Sequence, residues 1–106
     1  MKYSPRYYEE LKNMYPVVAN AFDHLSESCA VAGPLDPKSQ RFVKLGIAIG
    51  IGSEGDVQNL TKQALEEGIT PAEIRHAVLL AMSTAGFPAM IVAMQWVEEI
   101  IQNKAK

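Results

Sequence analysis

The chain has 106 residues, of which 48% are apolar and 21% charged, with a net charge of −2 at pH 7. This length predicts one domain, residues 1–106, with enough chain to bury a core without disulfides or metals. The slightly acidic balance gives no reason to expect a nucleic-acid partner. The longest apolar run, Ala77–Met82, is too short to cross a bilayer. The polar N-terminus and the single cysteine, Cys29, predict a cytoplasmic protein without a membrane partner.

The first third of the chain predicts three helices, each with a proline in its first turn. These prolines are Pro5, Pro16 and Pro37. Ser4 and Asp36 precede two of them and suit the N-cap position. The second helix carries apolar residues at the spacing of one buried face. They are Val17, Ala21, Phe22, Leu25 and Cys29. Cys29 is therefore expected to be a buried, small apolar residue.

Closely spaced glycines mark the end of the third predicted helix. Gly46 and Gly50 lie one turn apart, and two glycines cost an isolated helix about 2 kcal/mol relative to alanines. We therefore expect another backbone to pack closely against them. Gly50–Gly55 also matches the dinucleotide fingerprint G-x-G-x-x-G, which requires a second strand about 20 residues later. A helix start at Thr70 occupies that region instead, so a nucleotide site is not expected.

The rest of the chain predicts three more helices. The first runs from Asp56 to Gly68, with Gly68 as the glycine just past its end. Thr70–Glu73 forms a capping box, which begins the next helix. That helix is apolar nearly all round and predicts an oligomer interface. Gly86–Pro88 breaks it, and a last helix follows to about residue 102. The predicted fold is thus all-α, with about six helices.

The candidate chemical groups are polar residues around the glycine-rich turn, and one histidine. Glu54 and Asp56 could line a cleft and act as acid or base if burial raised their pKa; the alternative is an N-cap and a solvated helix face. His76 lies early in the helix after Thr70, and histidine exchanges a proton near neutral pH. A surface or interface role is its alternative. His24 lacks enough nitrogen or sulfur ligands nearby for a metal site, so no metal is expected.

Three segments together resemble the carboxymuconolactone decarboxylase-like family, which includes the alkylhydroperoxidase D-type proteins. They are Leu35–Lys38, Ala64–Arg75 and Ala85–Ala89. The resemblance covers about residues 35–102. It implies an all-α fold that assembles with itself, as a trimer or a hexamer.

The resemblance also implies where reactive groups would stand. In the peroxidase-type members a Cys-x-x-Cys-x-x-x-His motif falls on Ser53, Asp56 and Leu60, and a glutamate of the preceding helix falls on Arg41. None of these four reactive residues is present here. A thiol peroxidase needs a thiolate and a resolving thiol. The decarboxylase-type members keep a histidine at the position of Leu60. A leucine side chain cannot transfer a proton.

The sequence therefore leaves three functional hypotheses. The leading one is binding or conversion of a small organic acid or lactone-like molecule in a cleft between helices, without metal, cofactor or thiol chemistry. Its candidate catalytic residues are Glu54, Asp56 and His76, and its candidate binding residues are Ser53, Leu60 and Arg41. The alternative is a non-catalytic oligomer with a closed apolar pocket around Leu60. A third hypothesis is a redox protein that uses Cys29 between subunits.

Overall fold

A computed structural model describes residues 5–105, with side chains described over residues 7–103. Within that range the chain forms six α-helices, a short 3-10 helix and no strand. The helices are α1 (Pro5–Met14), α2 (Pro16–Val31), α3 (Pro37–Ile51), α4 (Glu54–Glu66), α5 (Pro71–Leu79) and α6 (Phe87–Ala105), with the 3-10 helix at Leu80–Ser83. The all-α prediction is confirmed. The predicted N-cap Ser4 lies outside the described residues.

The core lies among the last four helices, where α3 and α6 pack against α4 and α5. Its largest fully buried side chains are Leu45, Val57, Thr61, Ile74, Val78 and Val97. Thr61 is the polar member, and its hydroxyl donates to the carbonyl oxygen of Val57 at 2.7 Å. A buried hydroxyl without a partner would cost stability, so this bond lets a threonine occupy a core position.

Local signals set several helix ends as predicted. The Thr70 hydroxyl oxygen accepts from the Glu73 amide at 3.1 Å, and the Glu73 carboxylate accepts from the Thr70 amide at 3.0 Å. This is the reciprocal capping box that begins α5. Gly68 has φ +90°, the left-handed conformation that favours glycine after a helix.

The α5 helix ends earlier than the sequence suggested. The break was expected at Gly86–Pro88, but the α-helical part ends at Leu79 and a 3-10 turn follows. The carbonyl oxygen of Ala81 then accepts three successive amides, those of Thr84, Ala85 and Gly86, at 3.2, 2.8 and 3.0 Å. The chain thus forms a tight turn after α5. Gly86, with φ +100°, then redirects it into α6.

The predicted burial of α2 is wrong within one chain. Of the described residues of α2 only Ala19 is buried, while Phe22, Leu25 and Cys29 are exposed. The reason is that α1 and α2 pack against each other as a hairpin and make no extensive contact with α3–α6. The apolar residues of α2 do share one helix face, but no other described part of the chain covers that face. Cys29 is consequently an exposed thiol and not a buried apolar residue.

Candidate functional site

An open groove of about 700 Å³ lies between α3 and α5. Its walls are mainly apolar, and α3 contributes a wall without side chains at Gly46 and Gly50. The remaining lining residues are Phe42, Ile49, Glu73, His76, Ala77, Leu80, Ala81, Thr84 and Ala85. A Cβ added at either glycine would meet no atom within 4 Å. The close backbone contact predicted for these glycines is therefore not made within the described residues, and the glycines open a groove instead.

Two titratable side chains reach this groove, and they differ in their surroundings. Glu73 is held by the capping box and by the Lys38 ammonium group at 2.5 Å. The hydrogen bond from Lys38 is the main cause that lowers the pKa of Glu73 to about 2. Glu73 is therefore an ionised acceptor near neutral pH. The exposed side chain of His76, one turn further along α5, has no hydrogen bond or ion pair within the described part of the chain.

A second, shallower depression of about 260 Å³ lies on the other side of α3, against α4. Its lining residues are Lys44, Ile47, Ala48, Ile51, Asp56, Asn59 and Leu60. It is open and contains charged and amide side chains. The closed apolar pocket around Leu60 that the non-catalytic hypothesis predicts is therefore not what the structure shows.

The structure distributes the predicted site residues over both concavities. His76 lines the α3–α5 groove, whereas Asp56 and Leu60 line the α4 depression. Ser53 is buried just before α4, and its hydroxyl donates to Asp56 at 2.8 Å. Glu54 is half-buried in the first turn of α4 and lines neither concavity. Their convergence on a single cleft is not observed.

Arg41 has structural partners. Its guanidinium donates to both carboxylate oxygens of Glu67, at 3.0 and 2.7 Å, and to the side-chain oxygen of Gln63 at 2.6 Å. The hydrogen bond from Arg41 is the largest cause that lowers the pKa of Glu67. A bidentate arginine–carboxylate pair has fixed geometry, so Arg41 ties α3 to the end of α4. This arrangement leaves it poorly placed to hold a ligand.

The sequence interpretation missed most of the groove wall, including Phe42, Leu80 and Thr84. Two signals pointed to it. One was the glycine pair of α3, and the other was the unusually apolar helix after Thr70. Each was interpreted as a surface for a second backbone, although together they form the two sides of a groove.

Among the described residues, no group of three or more histidine, cysteine, aspartate or glutamate side chains is placed to hold a metal ion. No helix in this part of the chain has the length and hydropathy needed to span a membrane.

The model of the carboxymuconolactone decarboxylase family matches residues 16–99. The chain belongs to this family. It is similar to two uncharacterized proteins of Methanocaldococcus jannaschii. One is 29% identical over 91 residues, which cover 85% of this chain and 88% of the relative. The other is 30% identical over 92 residues, covering 87% and 86%.

Family membership gives the α4 depression a specific meaning. The positions that the resemblance assigns to the family's second cysteine and its histidine are Asp56 and Leu60, which both line that depression. The first cysteine position, Ser53, is buried beside Asp56. In this member of the carboxymuconolactone decarboxylase family, the family's reactive positions and the α3–α5 groove therefore lie on opposite sides of α3.

Proposed function

We propose that this carboxymuconolactone decarboxylase family protein binds a small organic acid or lactone-like molecule in the α3–α5 groove. The observation that carries this proposal is the combination of a mainly apolar groove with His76 as an unengaged polar side chain on its wall. Its volume of about 700 Å³ lies within the range of small-molecule sites. Such sites usually bury an apolar ligand body and fix it with few polar groups.

The charges at the groove narrow the class of ligand. The Glu73 carboxylate is ionised and engaged with Lys38, so it repels any anionic group that a ligand places beside Glu73. A ligand with one carboxylate, or a neutral lactone carbonyl, avoids that repulsion when its polar end lies at His76. The imidazole can then donate a hydrogen bond to the ligand oxygen. The apolar body would lie against Gly46, Gly50 and Ala81.

Conversion of the ligand is the second candidate. A histidine beside a bound carboxylic acid could protonate the carbon that retains the electron pair when CO₂ leaves, and then regain its proton from water. An efficient acid–base group is normally oriented by a partner. No such partner of His76 is found among the described residues. The geometry therefore supports binding better than catalysis.

Chemistry without a thiol is consistent with the position of the single cysteine. Cys29 lies on α2, where it lines a different, smaller concavity with Val43 and Lys44. A thiol peroxidase cycle needs a second thiol to resolve the oxidised one. Within one chain of this sequence no such partner exists.

The proposal can be tested by screening small monocarboxylic acids and lactones by thermal shift, followed by calorimetric titration of the hits. We expect His76→Ala to weaken binding by about tenfold or more, because a hydrogen bond to a charged group is lost. Gly46→Leu should abolish binding, because its side chain would occupy the groove. His24→Ala is the matched control, since His24 is an exposed histidine on α2. It should leave the affinity unchanged.

Three outcomes would contradict this site. One is the absence of any ligand in the panel, and another is binding that survives both His76→Ala and Gly46→Leu. The third is loss of binding in Asp56→Asn or Lys44→Met, with the groove variants unaffected. That result would move the site to the α4 depression. Incubation of bound ligand, followed by NMR of the mixture, separates binding from conversion.

A further inference from the structure

The titratable groups of the α3–α5 groove are confined to one of its ends. Glu73 and His76 line this end, which lies at the start of α5 and is called the head end below. Gly50 and Thr84 line the opposite end, called the tail end. The Thr84 hydroxyl donates to the carbonyl oxygen of Leu80 at 3.3 Å, so it is already engaged. The groove is therefore polar at its head end and apolar over the rest of its length.

The two walls of the groove run in the same direction. The ion pair of Lys38 with Glu73 joins the first turns of α3 and α5, and α3 also packs against the 3-10 helix that follows α5. From Phe42 to Gly50 the α3 wall is about 12 Å long, at 1.5 Å per residue. The opposite wall, from His76 to the tail end, is roughly 12–14 Å long. These lengths indicate an elongated ligand rather than a compact one.

The space between the walls fits an alkyl chain. Gly46 and Gly50 leave the α3 wall without side chains, and the small residues Ala77 and Ala81 line the other wall. An extended alkyl chain advances about 1.3 Å per carbon, because its C–C bonds of about 1.5 Å meet at tetrahedral angles. A groove of this length therefore accommodates about eight to ten carbons. Each methylene group that leaves water on binding contributes to the affinity.

The head end favours a neutral carbonyl over a carboxylate. Among the described residues, no lysine or arginine lines the groove, and the nearby Lys38 ammonium group is engaged by Glu73 at 2.5 Å. A ligand carboxylate would therefore lose hydration there without gaining a permanently charged partner. The imidazole of His76 carries an N–H donor whether it is neutral or protonated. A carbonyl oxygen can consequently accept from His76 in either state.

We propose that the ligand of this groove is a lactone that carries a linear alkyl chain of about eight carbons. Its ring carbonyl accepts a hydrogen bond from His76, and its chain lies along Gly46 and Gly50 toward Thr84. This inference rests on the proposed function, since it requires the groove to be the ligand site, and it adds the charge, shape and length of the ligand. Gly50 limits the length of the chain, because it lies in the last turn of α3 at the tail end.

The first test is calorimetric titration of the wild type with lactones whose linear chain grows from one carbon to about fourteen. We expect the affinity to rise about two- to fourfold per carbon, because each methylene group is partly buried in an open groove. The rise should stop at about eight to ten carbons, where the chain passes the tail end. Carboxylic acids of equal chain length should bind about fivefold or more weakly, because the carboxylate is desolvated without compensation.

A leucine at the tail end tests whether the groove measures chain length. Gly50→Leu should stop the rise about four carbons earlier, because its side chain blocks about one helical turn, or 5.4 Å, of the groove. The affinity for the shorter lactones should stay unchanged. Gly33→Leu is the matched control, since it makes the same change in equally open space beside Cys29, outside the groove. Circular dichroism verifies that both variants retain their helix content.

Backbone amide NMR of the wild type provides a measurement that needs no variant. Every lactone that binds should shift the amide resonance of His76, because the head end holds the ring. The resonances of Gly50 and Thr84 should shift only with chains of about seven carbons or more, since shorter chains end before the tail end. Shifts at Gly50 and Thr84 with the shortest lactones would contradict this orientation of the ligand.

Failure of this inference differs from failure of the proposed function. If short lactones or acids bind at His76 and a longer chain leaves the affinity unchanged, the groove remains a ligand site but the alkyl lactone is excluded. A length limit that Gly50→Leu does not move, or acids that bind more tightly than lactones, would likewise overturn this inference alone. If no lactone or acid of any length binds in the groove, the inference and the proposed function both fail.

Discussion

Replacing Gly46 and Gly50 with alanine distinguishes an open groove from a packed one. Neither glycine has a positive φ; Gly46 lies in the interior of α3 and Gly50 in its last turn. An added Cβ would meet no atom within 4 Å. Alanine should therefore contribute its full advantage in helix propensity at Gly46, about 1 kcal/mol, and a smaller gain at Gly50, since that residue is in the last turn. For a domain of this size, each kcal/mol corresponds to a rise in Tm of about 4–8 °C.

The assay is urea denaturation followed by circular dichroism at a fixed protein concentration, since any assembly makes stability depend on concentration. Gly68→Ala is the matched control, because it makes the same chemical change in equally open space. Gly68 has φ +90°, so alanine there should cost about 1–2 kcal/mol. The same glycine-to-alanine substitution should therefore raise the free energy of unfolding in α3 and lower it at Gly68.

A loss of stability in Gly46→Ala or Gly50→Ala would refute this reasoning. It would mean that another backbone approaches the glycines closely, as the sequence alone had suggested. The groove would then be filled in the assembled protein, and the ligand site proposed above would be lost with it.

Three further predictions concern polar contacts made by α3 and by the first turn of α5. Thr70→Ala should lower the free energy of unfolding by about 1 kcal/mol in urea denaturation, because the N-cap bond is lost, while Thr70→Ser should retain most of the stability. The pKa of Glu73 is lowered from 4.5 to about 2, so its contribution to stability is complete above pH 4.5 and is lost as pH falls toward 2. The urea midpoint should decline less over that window in Lys38→Met. Arg41→Met should cost about 1 kcal/mol or less, because its pair with Glu67 is partly exposed. It should leave ligand affinity unchanged, and a loss of affinity would restore Arg41 as a binding residue.

Local chemistry made parts of the fold predictable. The capping box at Thr70 and the glycine after α4 involve neighbouring residues and backbone conformations that need no tertiary partner. The family resemblance rested on segments around these same signals, and the family match over residues 16–99 confirms it. The apolar face of α2 was also identified correctly as a pattern. Its burial was not, since periodicity marks a face without naming what covers it.

The candidate site also separates what the sequence predicts from what the tertiary structure decides. Ser53, Asp56 and Leu60 were adjacent in sequence to the glycine-rich turn, and the structure keeps Asp56 and Leu60 together at α4. His76 was expected to join them but lies across α3 from them. Sequence spacing fixes which side chains share one helix face, whereas the angles between helices decide which faces meet.

The sequence by itself therefore determined that this protein is helical, where most of its helices begin, and which family it belongs to. These properties depend on caps, prolines and apolar periodicity within about one helix turn. Only the tertiary structure decided that the α3 glycines open a groove, that Arg41 is engaged by Glu67, and that the α1–α2 hairpin leaves its apolar stripe uncovered. Those outcomes depend on contacts between residues far apart in the chain, which no local pattern encodes.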